Sequence, residues 1–313
     1  MANEKKKHKA MRVYVTERCN AKCPNCFNAK SRSNNEMSIE NFSELCEYLK
    51  SNGVMLLKIM GGEPTIHNDF ATIVKIAQVN FEQIVIFSNG TTDAIKDIKL
   101  RENDVIVYNF TFNKVFSKEK MHFEIGGKRS FEVQVKKTTD EKELVKRILE
   151  LDKENSVRIS LTLDCTSNIF AEKSIVLPKL KYIEAEFLEN KITFSYDHMI
   201  PLCYLYKTGL HVSNSCKCSL LTAGLISADL SLKFCNQHSS TLISLKQNDN
   251  FIPWNIVENY LTKSFYEIRA KALEKYCLNC IFFNKKCNGG CWIPKDTISK
   301  EDVLNNTSLP LKR

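Results

Sequence analysis

The hydrophobic and polar positions along the first two hundred residues switch repeatedly between a period near two and a period near 3.6. Short apolar runs at 11–16, 54–60, 83–88, 104–112, 131–137 and 157–164 have the length and β-branched content of buried strands. Between them lie stretches with helical spacing. Ser38 is an N-cap type residue, and Phe42, Leu45, Cys46 and Leu49 follow it at helical intervals. Met37 and Phe42 are placed for a hydrophobic staple, and Gly53 suits the exit. This pattern predicts a helix from 38 in which Cys46 is core packing. Further helices are expected at 68–80 and 140–152. Strands alternating with helices predict an α/β chain with a parallel sheet. About six βα units fit before residue 200, too few for a closed eight-unit barrel. Residues 113–130 admit two readings, a hairpin turning at Gly126-Gly127 or a helix shortened into a loop.

After Tyr196 the rhythm stops and cysteine becomes frequent, which puts a domain boundary near 200. The expected organisation is a basic disordered arm at 1–10, a main domain at 11–200, a cysteine-rich domain at 201–295 and a polar tail at 296–313. No internal repeat interrupts it.

Composition changes the picture in one respect. Thirteen cysteines, an odd number held in tight clusters, fit metal binding better than disulfides. The charged start has no apolar run long enough for a signal peptide, and no stretch is long enough to span a membrane, so the cytoplasm is expected. The net charge of +9 reads as a lysine-rich solvated surface; no arginine-rich aromatic run points to nucleic acid, and none is expected as a partner.

Cys19, Cys23 and Cys26 carry the first candidate chemistry, on a loop directly after the first strand. Four thiolates would close an iron–sulfur cube, and three local ones leave one iron open. A structural zinc site takes four ligands, and the next cysteine, Cys46, sits in a predicted helix. The Cys-x3-Cys-x2-Cys spacing resembles the radical S-adenosylmethionine (SAM) enzymes. That resemblance implies a partial (β/α)6 TIM-like barrel and a [4Fe–4S] cluster with an open iron, which the amino and carboxylate groups of SAM chelate. Gly61, Gly62, Glu63 and Pro64 end the second strand, 35 residues after Cys26. Paired glycines allow close backbone approach, and a carboxylate accepts from an ammonium. The stretch resembles the family's Gly-Gly-Glu-Pro motif, which holds the SAM amino group. Ser88 and Asn89, ending the third strand, match positions where the family often contacts SAM. The family commonly has an aromatic just before the third cysteine; here Asn25 stands there and Phe27 follows, so Phe27 is the candidate for the adenine.

A second cysteine run, Cys277, Cys280, Cys287 and Cys291, follows Cys216, Cys218 and Cys235. Together they resemble the SPASM and twitch extensions of radical SAM enzymes, which carry auxiliary [4Fe–4S] clusters on a β-hairpin and a loop. One cluster on Cys218, Cys235, Cys277 and Cys280 is one arrangement. Two clusters, one on Cys216, Cys218, Cys235 and Cys291 and one on Cys277, Cys280 and Cys287, is the other. A structural zinc site at 277–291 is the competing reading, and it leaves the hairpin cysteines unexplained. The chain departs from the extension's pattern in having no cysteine after 291, and Leu230 stands where the hairpin usually has glycine. Cys165 and Cys203 are candidate hydrogen donors to a substrate radical, or else small buried hydrophobes. The histidines match no metal motif.

The resemblance implies reductive cleavage of SAM and hydrogen abstraction from a substrate, with a flavodoxin- or ferredoxin-type electron donor. A ribosomal peptide or protein is the first expectation for substrate: a crosslink, thioether, epimerisation or oxidation. A first strand near residue 11 leaves no room ahead of it for a leader-binding domain, which weighs against that choice. A small sugar or aminocyclitol is the alternative. A non-enzymatic electron carrier is the reading of another class.

Overall fold

The computed structural model describes residues 9–23, 26, 33–110, 122–151, 157–163, 170–196, 202–205, 208–210, 224–235 and 240–272. In chain order the elements are β1 (Lys9–Thr16), α1 (Ile39–Ser51), β2 (Val54–Gly61), α2 (Phe70–Asn80), β3 (Gln83–Ser88), β4 (Val105–Asn109), β5 (Lys128–Val135) and α3 (Glu141–Leu151). They continue with β6 (Val157–Leu163), α4 (Lys173–Glu189), β7 (Thr193–Tyr196), α5 (Leu202–Leu205), β8 (Leu225–Ile226), β9 (Ser231–Lys233), β10 (Thr241–Ser244), the short hairpin β11 (Lys246–Gln247) and β12 (Asn250–Phe251), and α6 (Trp254–Ala272). The α/β class with a parallel sheet is the expected one, and it is consistent with a partial TIM-like barrel. Among the described residues seven strands precede residue 200; the one the sequence pattern did not show is β7.

The chain divides into two compact units, the first made of residues 1–107, 119–128 and 219–265. Its centre is β1, whose Met11, Val13, Tyr14, Val15 and Thr16 are all buried, as a parallel strand covered on both faces requires. β2 lies parallel on one side, with Val13 opposite Ile59 and Tyr14 opposite Met60. β3 continues from β2 in parallel, with Ile59 opposite Ile86. On the other side β8 pairs parallel to β1, Arg12 opposite Leu225. β9 and β10 then add antiparallel. The helix predicted from Ser38 is α1: the Ser38 hydroxyl accepts from Asn41 N, and Met37 and Phe42 are both buried beside the cap. Cys46 is buried on its inner face, as expected, and burial pushes its thiol pKa up. Gly126 and Gly127 take positive φ (78° and 71°) as they lead from a 3-10 turn into β5, and a Cβ on Gly126 would lie 2.7 Å from Leu100 O.

Asp104 locks the lower edge of this unit. It is fully buried and accepts from Ile84 N at 3.0 Å, Gln78 Nε2 at 2.9 Å and Arg101 Nη2 at 2.9 Å. Burial pushes its carboxyl pKa up, but the donors from Arg101, Ile84 and Gln78 outweigh it and hold the group below the ordinary carboxylate range. A folded pKa below the unfolded value of about 3.9 gives stability that is present above that value and lost as pH falls through the folded pKa. Asp104→Ala should therefore cost about 2–3 kcal/mol at pH 7, from lost charged hydrogen bonds and an orphaned Ile84 N–H. Urea unfolding at pH 7 and pH 3 checks this: the gap between wild type and variant should shrink in acid.

The second unit contains residues 108–118, 129–218 and 266–313. Its β5, β6 and β7 run parallel, with Phe131 opposite Ile159 and Leu161 opposite Tyr196. α3 buries Leu144, Val145, Ile148 and Leu151, and α4 buries Val176, Leu180, Ile183 and Phe187. Arg147 lies over the Phe110 ring at 4.6 Å, and Phe110 packs on Phe131 with centroids 5.0 Å apart. Among the described residues, no helix is long and apolar enough to cross a membrane.

Candidate active site

The three strand ends that carry the sequence motifs all belong to the first unit: β1 leads into the cysteine loop, β2 into Gly61–Pro64 and β3 into Ser88-Asn89. The loops after β1 and β2 are joined backbone to backbone. Gly62 N donates to Thr16 O at 2.9 Å and Glu63 N donates to Arg18 O at 2.8 Å. A Cβ on Gly61 would sit 2.2 Å from Thr16 O, and one on Gly62 only 2.1 Å from Arg18 O. The paired glycines thus let the backbone approach closely, and what it approaches is the loop that bears Cys19. Arg18 reinforces the junction, its guanidinium pairing with Glu36 and donating to Ile66 O at 3.2 Å. The loop's own turns are short-range: Ala21 N donates to Cys19 Sγ at 3.4 Å, and Cys26 N to Cys23 O at 3.3 Å. Cys19, Cys23 and Cys26 are each half-buried.

Glu63 stands at the meeting point, 1 % exposed. Its carboxylate accepts from Thr65 N at 3.2 Å, Thr65 Oγ1 at 2.6 Å, Ser88 Oγ at 2.9 Å and Asn89 N at 2.6 Å. The structure therefore brings together Gly61, Gly62, Glu63, Ser88 and Asn89, and Pro64 begins a buried 3-10 turn behind them. Burial raises the Glu63 pKa, opposed by the donors from Thr65, Asn89 and Ser88. Among the described residues no cationic side chain pairs with it. A buried carboxylate supplied with neutral donors alone is suited to receive an ammonium group. The Asn89 side chain also reaches across to the cysteine loop, donating to Asn20 Oδ1 at 2.9 Å, and Asn20 in turn donates to Thr91 Oγ1 at 2.8 Å.

Sequence reasoning missed Thr65, Asn20 and the Arg18–Glu36 clamp. Thr65 directly follows the Gly-Gly-Glu-Pro stretch and Arg18 directly precedes Cys19, so adjacency was the available signal. His67 is buried with both ring nitrogens engaged, Nε2 by Met37 O and Nδ1 by Asp69 N, as an ordinary structural histidine. Cys235 lies two residues past the end of β9, the second strand of the β8–β9 hairpin. Leu230, where glycine is usual, adopts φ of +62° in the hairpin turn while its side chain stays buried. That conformation is strained for a branched side chain, and burial of the leucine offsets the strain. Phe27, Cys165, Cys216, Cys218, Cys277, Cys280, Cys287 and Cys291 lie outside the described residues, as does the side chain of Cys203.

The donor set suits an iron–sulfur cluster. Three thiols share one half-buried loop, and thiolates are the ligands that hold such a cluster. The strand that leads into this loop carries one more buried polar group, the Tyr14 hydroxyl, which has no hydrogen-bond partner among the described residues.

Residues 13–151 match the radical SAM superfamily, which implies a [4Fe–4S] cluster and SAM. A probable GTP 3′,8-cyclase of Methanothermobacter marburgensis is 35 % identical over 106 residues, 33 % of this chain and 35 % of that protein. The subtilosin biosynthesis protein AlbA of Bacillus subtilis is 30 % identical over 97 residues, 30 % of this chain and 22 % of that protein. The chain thus spans about a third, or less, of the curated relatives it matches. Among solved structures, Streptococcus suis SuiB bound to its precursor peptide SuiA superposes with a TM-score of 0.66 at 16 % identity, covering 94 % of this chain and 74 % of SuiB.

Proposed function

Taking as premise that residues 13–151 form a radical SAM domain, we propose that this chain is an enzyme that cleaves SAM reductively and takes a hydrogen atom from a ribosomally made peptide or protein. The observation that carries the first part is Glu63, whose carboxylate is buried among four donors and whose backbone N–H donates to the cysteine loop at Arg18 O. Glu63 would hold the SAM amino group, with Ser88 and Asn89 orienting the carboxylate from the next strand. Cys19, Cys23 and Cys26 would hold the cluster. A bound [4Fe–4S] cluster supplies the electron that breaks the SAM sulfonium bond. Gly61 and Gly62 keep the two loops in contact, so that the ammonium site and the thiols stay in one geometry.

The peptide reading is supported by the likeness to AlbA, named for biosynthesis of a bacteriocin, and by the fold shared with SuiB, solved with a precursor peptide. We further propose that residues 201–295 form a SPASM- or twitch-like extension, holding one or two auxiliary clusters on Cys216, Cys218, Cys235, Cys277, Cys280, Cys287 and Cys291. The position of Cys235 just past the second strand of a β-hairpin supports that reading. The net charge of +9 suits an acidic electron carrier of the flavodoxin or ferredoxin type. A nucleotide substrate is the second reading, favoured by the 35 % identity to a protein named a probable GTP cyclase.

The test is anaerobic incubation of the iron- and sulfide-reconstituted chain with SAM and dithionite, followed by measurement of 5′-deoxyadenosine. Its formation should be stimulated by a precursor peptide encoded beside the gene, with deuterium passing from labelled peptide into the product. Stimulation by GTP or by an aminocyclitol instead overturns the peptide reading. Absence of 5′-deoxyadenosine under every condition overturns the enzyme and leaves an electron carrier.

A further inference from the structure

Tyr14 is the one residue of β1 whose burial carries an unexplained cost. Its side chain is 2 % exposed, and its hydroxyl has no hydrogen-bond partner among the described residues. The ring packs with Met60, Leu225 and Phe87, one residue from each strand that flanks it or follows. Met60, Leu225 and Phe87 are apolar and supply the hydroxyl with no acceptor. Buried hydroxyls are normally paired, so one left without a partner calls for a group that arrives later. Two thiols lie within electrostatic range of it. After burial itself, Cys26 is the largest influence raising the Tyr14 pKa, and Cys235 adds to it. Alternation along β1 puts Tyr14 and Arg12 on one face of the sheet, and the register carries that face through Leu225 to Lys233 and on to Cys235.

We propose that the Tyr14 hydroxyl donates a hydrogen bond to a sulfur of the cluster held by Cys19, Cys23 and Cys26. This rests on the reading of those cysteines given above. Tyr14 is a positioning residue: it touches neither SAM nor substrate in this account, and acts through the cluster. Reduction adds negative charge to the cluster sulfurs, so a donor to one of them favours the reduced state and raises the potential. The same donor is a liability before the cluster arrives, because nothing then accepts from it.

The two states therefore respond in opposite directions to Tyr14→Phe, which keeps the ring and removes only the oxygen. Without iron, the variant should melt at the same temperature as wild type or higher. Reconstituted, the cluster should reduce at a more negative potential in an EPR-monitored titration without SAM. It should also lose the coupling of one exchangeable proton in electron–nuclear double resonance. The cluster concerned is identified as the one whose signal changes when SAM is added to a parallel sample. An unchanged potential with the proton coupling retained overturns the proposal. So does an effect that appears only with SAM present, which would make SAM the acceptor, and so does a lower melting temperature of the iron-free variant, which would mean the hydroxyl is already paired. Failure of wild type to form any SAM-responsive cluster overturns the functional reading itself, and this proposal with it.

Discussion

Changing Cys19, Cys23 and Cys26 together to alanine should abolish the proposed SAM cleavage and, if the C-terminal cysteines hold auxiliary clusters as proposed, leave iron there in place. The expectation follows from how the loop is held. Among its ties to the rest of the first unit are bonds made by other residues: Glu63 N to Arg18 O, Gly62 N to Thr16 O, and Arg18 to Glu36. The three thiols are half-buried, and Cys19 Sγ accepts one backbone N–H at 3.4 Å, a weak contribution to the turn. Truncation keeps those bonds and removes the donors to iron, without which the electron has no route to SAM. Product chromatography, iron per chain and far-UV circular dichroism together test this. Cleavage that survives in a folded variant shows that the cluster is held elsewhere.

Gly62→Ala should be nearly as severe, for a different reason. The added Cβ would stand 2.1 Å from Arg18 O and 2.7 Å from Glu17 O, both backbone atoms with nowhere to retreat. The loops must separate, and the 2.8 Å bond from Glu63 N to Arg18 O goes with them. Overpacking of this kind costs about 3 kcal/mol. Displacing the ammonium site from the thiols by about 1 Å should lower kcat/KM for SAM cleavage on the order of 100-fold. Gly53→Ala is the control. It has a left-handed φ of +76° but no neighbour within 4 Å of its would-be Cβ, so it should cost about 1 kcal/mol of backbone strain and spare cleavage. Urea unfolding beside steady-state kinetics separates the two. Equal effects of the two substitutions would remove the glycine junction from the argument.

Much of the first unit was legible because its signals are local. Ser38, Met37 and Phe42 marked the start of α1 through a cap and a staple, both of which depend on a few adjacent residues. β7 and α4 were harder to see. β7 is only four residues long, and α4 carries Pro178 inside it, where proline usually ends a helix. Tertiary packing of Val176, Leu180, Ile183 and Phe187 holds α4 together across that position. Strand β4 runs Val105–Asn109, so the expected 104 and 110 fall outside it, and 111–112 lie outside the described residues. Asp104 is instead the fully buried acceptor for Arg101, Gln78 and Ile84.

Residue order alone settled the alternation of strands and helices, the thiol triplet after β1 and the Gly-Gly-Glu-Pro stretch after β2. Each of these is written in spacing over a few positions, where the chain's covalent geometry does the sorting. Tertiary structure alone decided that Ser88 and Asn89 share the Glu63 carboxylate, that the glycines dock one loop on another, and that the hairpin ending at Cys235 pairs beside β1. Those are contacts between atoms distant along the chain, set by strand register and by approaches of 2–3 Å, for which no local pattern of polar and apolar residues carries a record.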